Sequence, residues 1–304
     1  MASATVNNRV GLPRGILFNG VDAAGTMTAR INAGFDNILR SSPDGLQVPL
    51  KDKEVQFVRG TVVTQDWVKA ILLLLGTIGS YVCYELKSGA AEPTNFIKHT
   101  IINPIIHRLA LIFTNKGYAI CGFDYECRAA DPTKGIADMW VPTDNQAAPT
   151  YVAAARGGFR IISYLHGAQA VYHLMRYNFN LTMPLVKACN DGDVGYTCVD
   201  ARLDGLTADG SIVFQDSAIA TATLISQKLL AAARATDVLT VKQGQAAVNK
   251  VITVAGVDFN NIDSNSDVGA EFTEHTANFD VTNNTTTQLT LAGANKIITI
   301  ADAA

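Results

Sequence analysis

Basic charge, paired cysteines, long apolar runs and short catalytic motifs are all scarce in this chain, and each scarcity narrows what it does. Lys and Arg number 24 against 27 Asp and Glu, a net charge of −3, so the basic footprint of a nucleic-acid binder is missing. The five cysteines, Cys83, Cys121, Cys127, Cys189 and Cys198, form no CxxC pair and leave one over, which predicts reduced core thiols rather than bridges. The most apolar run, Val68 to Tyr84, contains Lys69 and two glycines and falls short of the ~20 residues a membrane span needs. It predicts a buried helix flowing into a buried strand, with no membrane partner. The opening MASATVNNRVG has neither a charged n-region nor an apolar h-region, so the expectation is a protein that stays in the cytosol of the producing cell.

Chemistry leaves few traces. The histidines, His99, His107, His166, His173 and His275, show no HExxH and no short spacing that sets two on one face, and are read as surface or strand residues. There is no GxxxxGK[ST], no GxGxxG after a strand and no GxSxG elbow; GTIGS at 76–80 reads as the end of an apolar helix. The stretch DFNNIDSNSDVGAE (258–271) offers oxygens at Asp263, Asn265 and Asp267, yet has Val268 where a calcium loop needs glycine, and is read as a solvated loop. No catalytic, cofactor-binding or metal-binding residue is assigned, and the chain is read as no enzyme. The competing enzymatic reading gathers Asp124, Glu126 and His107 from adjacent hairpin strands.

What the chain does have is a core and an echo. With 48% hydrophobic residues against 17% charged, it can fold around a sizeable interior, and its length suits about two domains of ~150 residues. GTVVTQD at 60–66 returns as GSIVFQD at 210–216, 150 positions later. Each copy reads as a β-branched strand, an N-capping Asp (Asp66, Asp216), an apolar helix and a strand closing on Lys87 or Lys242. QVPL (47–50) and TMPL (182–185) precede them, and weaker openings lie at Arg14–Phe18 and Arg156–Phe159. The second copy carries an insert over 186–209.

Around the echo, alternation predicts strands. His107–Phe113 and Tyr118–Arg128 read as a hairpin turning at Asn115-Lys116-Gly117, with Phe159–Leu165 and Ala170–Leu181 as the second-half equivalent. Residues 128–151, with Pro132, Pro142 and Pro149, read as a surface linker, and the strand-rich C-terminus contains the similar runs NKVITVAGVDF (249–259) and NKIITIADA (295–303). The expected fold is mainly β: two tandem β-sandwich or half-barrel units, 1–150 and 151–304, each with one flanking helix, the second with a C-terminal β extension.

These strand-Asp-helix-strand units, GTVVTQD–WVKAILLLLGTIG–YVCYELK and GSIVFQD–SAIATATLISQKLL–TDVLTVK, together with their hairpins, resemble the major tail tube proteins of long-tailed bacteriophages. The resemblance is architectural and spans most of residues 10–280. It implies strands that join into the wall of a stacked-ring tube, self-assembly as a pseudo-sixfold trimer of duplicated chains or a hexamer, contact with other tail proteins, and DNA passing through the lumen without specific binding. It further implies a virion tail location after synthesis in the bacterial cytoplasm, and no cofactor. A capsid decoration or tail-end protein is the alternative of the same makeup.

Overall fold

The structure, a computed structural model, describes residues 13–18, 21–23, 26–40, 50–76, 79–86, 96–115, 117, 119–131, 133–147, 160–190, 196–203, 205–215, 224–242, 249–265, 274–283 and 288–303. It is mainly β. The first half runs β1 (Pro13–Phe18), β2 (Val21–Ala23), β3 (Thr26–Arg40), β4 (Leu50–Thr64), α1 (Trp67–Leu74), β5 (Ser80–Leu86), β6 (Phe96–Ile102), β7 (Pro104–Thr114), β8 (Ile120–Cys127) and β9 (Trp140–Gln146). The second runs β10 (Arg160–His166), β11 (Gln169–Ala170), β12 (Leu174–Thr182), β13 (Leu185–Asn190), β14 (Tyr196–Leu203), β15 (Thr207–Gln215), α2 (Ile225–Ala231), β16 (Ala235–Lys242), β17 (Asn249–Asn265), β18 (Glu274–Val281) and β19 (Ile298–Asp302).

The two halves pair their strands in the same order. One layer, β2-β1-β5-β6-β9, here labelled outer, has its counterpart in β11-β10-β16-β17-β19, and a second, β3-β4-β8-β7, labelled inner, in β12-β15-β18-β17. Irregularities recur at matching places: the β1/β5 register shifts between Pro13 and Gly15, and β10/β16 between Ile161 and Ser163. The same holds for Thr26/Thr28 and Leu174/Arg176, and for Ile106/Arg108 and Phe259/Asn261. Each half also turns from outer to inner layer at a left-handed residue, Asn103 (φ 48°) or Gly256 (φ 76°), whose carbonyl accepts from Arg128 N or Thr282 N. Asparagine and glycine are the residues that adopt this conformation at least cost.

The packed faces of the layers form the core. Trp67, Tyr81, Phe113, Phe123 and Tyr125 fill the first half; Tyr164, Tyr177, Phe179, Phe214 and Phe279 fill the second, all fully buried. Helix α1 is capped by Asp66, whose carboxylate accepts from Lys69 N at 3.2 Å, as the sequence predicts. Asp216 lies outside the described residues, and α2 starts later, at Ile225, with no side-chain cap.

Several sequence expectations are corrected. The supposed linker is structural: residues 135–138 form a 3-10 helix, Met139 is fully buried, and β9 pairs with β6, with Pro142 accommodated because β9 is the sheet's edge. Residues 148–159, which include the expected change of unit at 150, lie outside the described residues. The expected C-terminal β extension includes β19, which pairs with β17 as β9 pairs with β6 in the first half. The hairpin β7–β8 corresponds to β17–β18, whereas β10–β11 corresponds to the short β1–β2 turn. The 186–209 insert includes β13 and β14, a hairpin that prolongs β12 and β15 and runs parallel to β4 at Tyr196–Thr197, with Cys189 and Cys198 opposite one another in the register.

Candidate assembly surface

Strand β7 of the first half pairs antiparallel with β12 of the second, from Arg176 opposite Thr114 to Thr182 opposite Arg108. The two inner layers thereby become one continuous run, β3-β4-β8-β7-β12-β15-β18-β17. One face of it carries the core; the other alternates out of it.

The outward face is mostly polar and mixed in sign, with Ile112 exposed among its polar groups. One row reads Arg30, Thr61, Asp124, Arg108, Thr182, Thr207 across the strands; another reads Ile112, Asn178, Ser211, Asn278, Asn261. Its polar groups bond to one another: Thr61 Oγ1 donates to Asp124 at 2.7 Å, Asn178 to Ser211 at 3.1 Å, Asn180 to Asp209 at 3.1 Å and Asn278 to Asn261 at 2.8 Å. Arg108 stands 3.8 Å from Asp124 in an exposed pair that adds little stability. Such cross-strand ladders fix register while leaving the surface wet.

The run ends in two open edges. Among the described residues β3 pairs only with β4, and residues 261–265 of β17 only with β18. The stretch read as a solvated loop is therefore part strand: Asp258–Asn265 belongs to β17, while 266–271 lie outside the described residues.

Among the described residues, a cluster resembling reactive chemistry is sealed inside the second half. Asp237, 1% exposed, accepts from His166 Nδ1 at 2.9 Å, Tyr164 OH at 2.8 Å and Tyr177 OH at 3.3 Å. Burial pushes the Asp237 carboxyl above its usual range despite those bonds, and burial together with the neighbouring carboxylate pushes both phenols well up. The first-half position paired as Asp237 is holds Tyr81, packed edge-on against Tyr125 at 5.2 Å.

Histidine placement is varied. His166 is 2% exposed rather than on the surface, because Asp237 can satisfy it there. His99 accepts from Trp140 Nε1 at 3.1 Å and so turns its other nitrogen, as donor, to Glu85 at 3.3 Å. His275 meets Ser264 at 2.8 Å, and His173 is an exposed residue at φ 57°. His107 sits in the β7 bulge and Asp124 on the outward face, both on the border of one open groove of about 770 Å³, while Glu126 is buried and opposite Arg59. Asp124 is already engaged by Thr61 and Arg108. Among the described residues no three His, Cys, Asp or Glu side chains gather as metal ligands, and no helix is long and apolar enough to cross a membrane. Cys83, Cys121 and Cys127 are buried free thiols, Cys83 pushed up to about 12 chiefly by burial. No protein-family model matches the chain, and no curated protein matches it.

Proposed function

We propose that the chain is a tandemly duplicated wall subunit of a bacteriophage tail tube, assembling with copies of itself into stacked rings through which DNA passes. The observation that carries this reading is the continuous inner run with a wet, mixed-sign face and an open edge at either end. The matched bulges and corners of the two halves support their origin by duplication. A sheet of this form gains most by closing, since closure pairs every edge and leaves one side chain face to the interior. A hydrophilic interior without excess cation suits passage of DNA, because a basic wall would hold phosphates by counterion release. On this reading three chains supply six similar units to each ring, and the protein is a structural component of the virion.

Negative-stain imaging of concentrated purified protein, together with sedimentation velocity, tests it. Hollow tubes or rings are expected. Protein that binds preformed capsids without polymerising would favour a decoration role, and a monomer at all concentrations would end both.

A further inference from the structure

The junction inside the chain specifies the junction between chains. We propose that β17 of one chain receives β3 of the next as an antiparallel neighbour, in the register copied from β7 and β12, with Asp263 opposite Asn32. The inference rests on the wall-subunit reading and adds to it the partner surface and its alignment.

Shared pairings give the equivalences. Ile31 lies opposite Gly60 as Phe179 lies opposite Gly210, which matches β3 to β12; Ile106 lies opposite Tyr125 as Phe259 lies opposite Phe279, which matches β7 to the end of β17. The bulge follows the same residue in each pair of strands. Since Leu181 faces Leu109 and Asn180 faces Ala110, the copied register sets Ala33 against Ile262 and Asn32 against Asp263. In the chain's own junction Met183 N donates to the His107 carbonyl, so 180/110 is a pair without mutual backbone bonds. Asn32/Asp263 inherits that spacing, in which side chains come closest.

Burial and charge point the same way. Phe179, Leu181 and Leu109 are fully buried at the internal junction, whereas their counterparts Ile31, Ala33 and Ile262 at the open edges are only partly buried while still packed on the core. On the outward face the β3 edge presents Arg30 and the β17 edge Asp263, and the copied register makes them diagonal neighbours. A second copy of this chain is thus complementary in apolar burial, hydrogen bonding and sign. Because the two edges differ, the contact is head-to-tail, the kind that propagates or closes into a ring.

The test is cysteine cross-linking of assembled full-length protein, oxidised with copper phenanthroline and read by mass spectrometry of the linked peptides. Asn32→Cys with Asp263→Cys is expected to link different chains, while Asn32→Cys with Asn261→Cys, two residues out of register, links far less. Asn180→Cys with Ala110→Cys closes within every folded chain and reports the fold. Should tubes form and this internal pair close while 32/263 stays open, the seam is wrong and the wall reading survives; absence of any assembly overturns both. A charge swap supplies a readout independent of cysteine: Arg30→Glu should raise the concentration needed for assembly about 2- to 5-fold, and adding Asp263→Arg should restore it. Failure of the second change to restore assembly would overturn the alignment.

Discussion

Asp237 is the residue whose position demands most of its neighbours, since a carboxyl 1% exposed must be satisfied by His166, Tyr164 and Tyr177 together. Asp237→Ala strands all three donors and is expected to cost about 3–5 kcal/mol in urea unfolding. Its pH behaviour has a definite sign. Burial raises the folded carboxyl above its unfolded value of about 3.9, so its contribution is complete below about pH 4 and declines as pH rises through the raised value. Asp237→Asn removes that titration, so the stability of wild type relative to Asp237→Asn should fall as pH rises above about 4; a difference that grows with pH would overturn the raised direction. Glycine explains the sequence echo at the same scale. A Cβ on Gly60 would collide with the Arg30 carbonyl and stand 2.6 Å from Tyr125 OH, and one on Gly210 would collide with the Asn178 carbonyl and the Phe279 ring. Each glycine lets the aromatic residue of the next strand lie across it. Gly60→Ala and Gly210→Ala should each lose about 1–3 kcal/mol or more, and wild-type stability in either would show that the strands there can spread.

At the scale of elements, what could be read in advance was whatever is encoded locally. The helix after Asp66 was legible because an N-cap and an apolar run are contiguous, and so was the β7–β8 hairpin, because its turn lies between two alternating runs. Pairing partners are not legible: β9 reads as a linker because Pro142 within it, with Pro132 and Pro149 in the flanking sequence, masks an edge strand, and His166 reads as ordinary because its partner Asp237 is far away in sequence. Helix faces were legible only in part. The apolar spacing predicts Ile71, Leu72, Leu74 and Leu75 inward in the first helix and Ile219, Leu224, Leu229 and Leu230 in the second; Ile71 is buried beside Trp67, Ala70 and Leu73, Leu74 and Leu75 pack partly buried on the core and Leu72 is half-buried, whereas Leu229 is buried, Leu224 and Leu230 are exposed and Ile219 lies outside the described residues. Replacing Asp66 by Ala should cost about 1 kcal/mol by removing the cap, to which its 3.0 Å pair with Lys69 contributes a further small part. Leu73→Asp should be far worse, placing an unpaired carboxylate beside the core, and a soluble, assembled Leu73→Asp protein would show that α1 can detach without loss of the sheet.

For the molecule as a whole, one face of the inner run sets what the chain can enclose. Its rows mix Arg30 and Arg108 with Asp124, Asp209 and Asp280, so on the proposed function a passing duplex meets a wall that neither repels it uniformly nor binds it. Asn178, Ser211 and Asn278 lie side by side on that face, each half-buried, and Asn178 Oδ1 has no hydrogen-bond partner there, so a lysine at 178 forfeits no bond at that atom. Asn178→Lys with Asn278→Lys should fold and assemble, the removed amide bonds being outward-facing cross-strand ones of modest strength. The added ammonium groups would exchange places with phosphate counterions at each step of DNA movement, so particles built from this variant should eject their genome more slowly at low salt and recover as ionic strength rises, while wild-type particles show a weaker salt dependence. Ejection followed at low and high salt in assembled particles measures the difference. Identical rates at every salt concentration would mean that this face does not line the path of the DNA, even if the chain builds a tube.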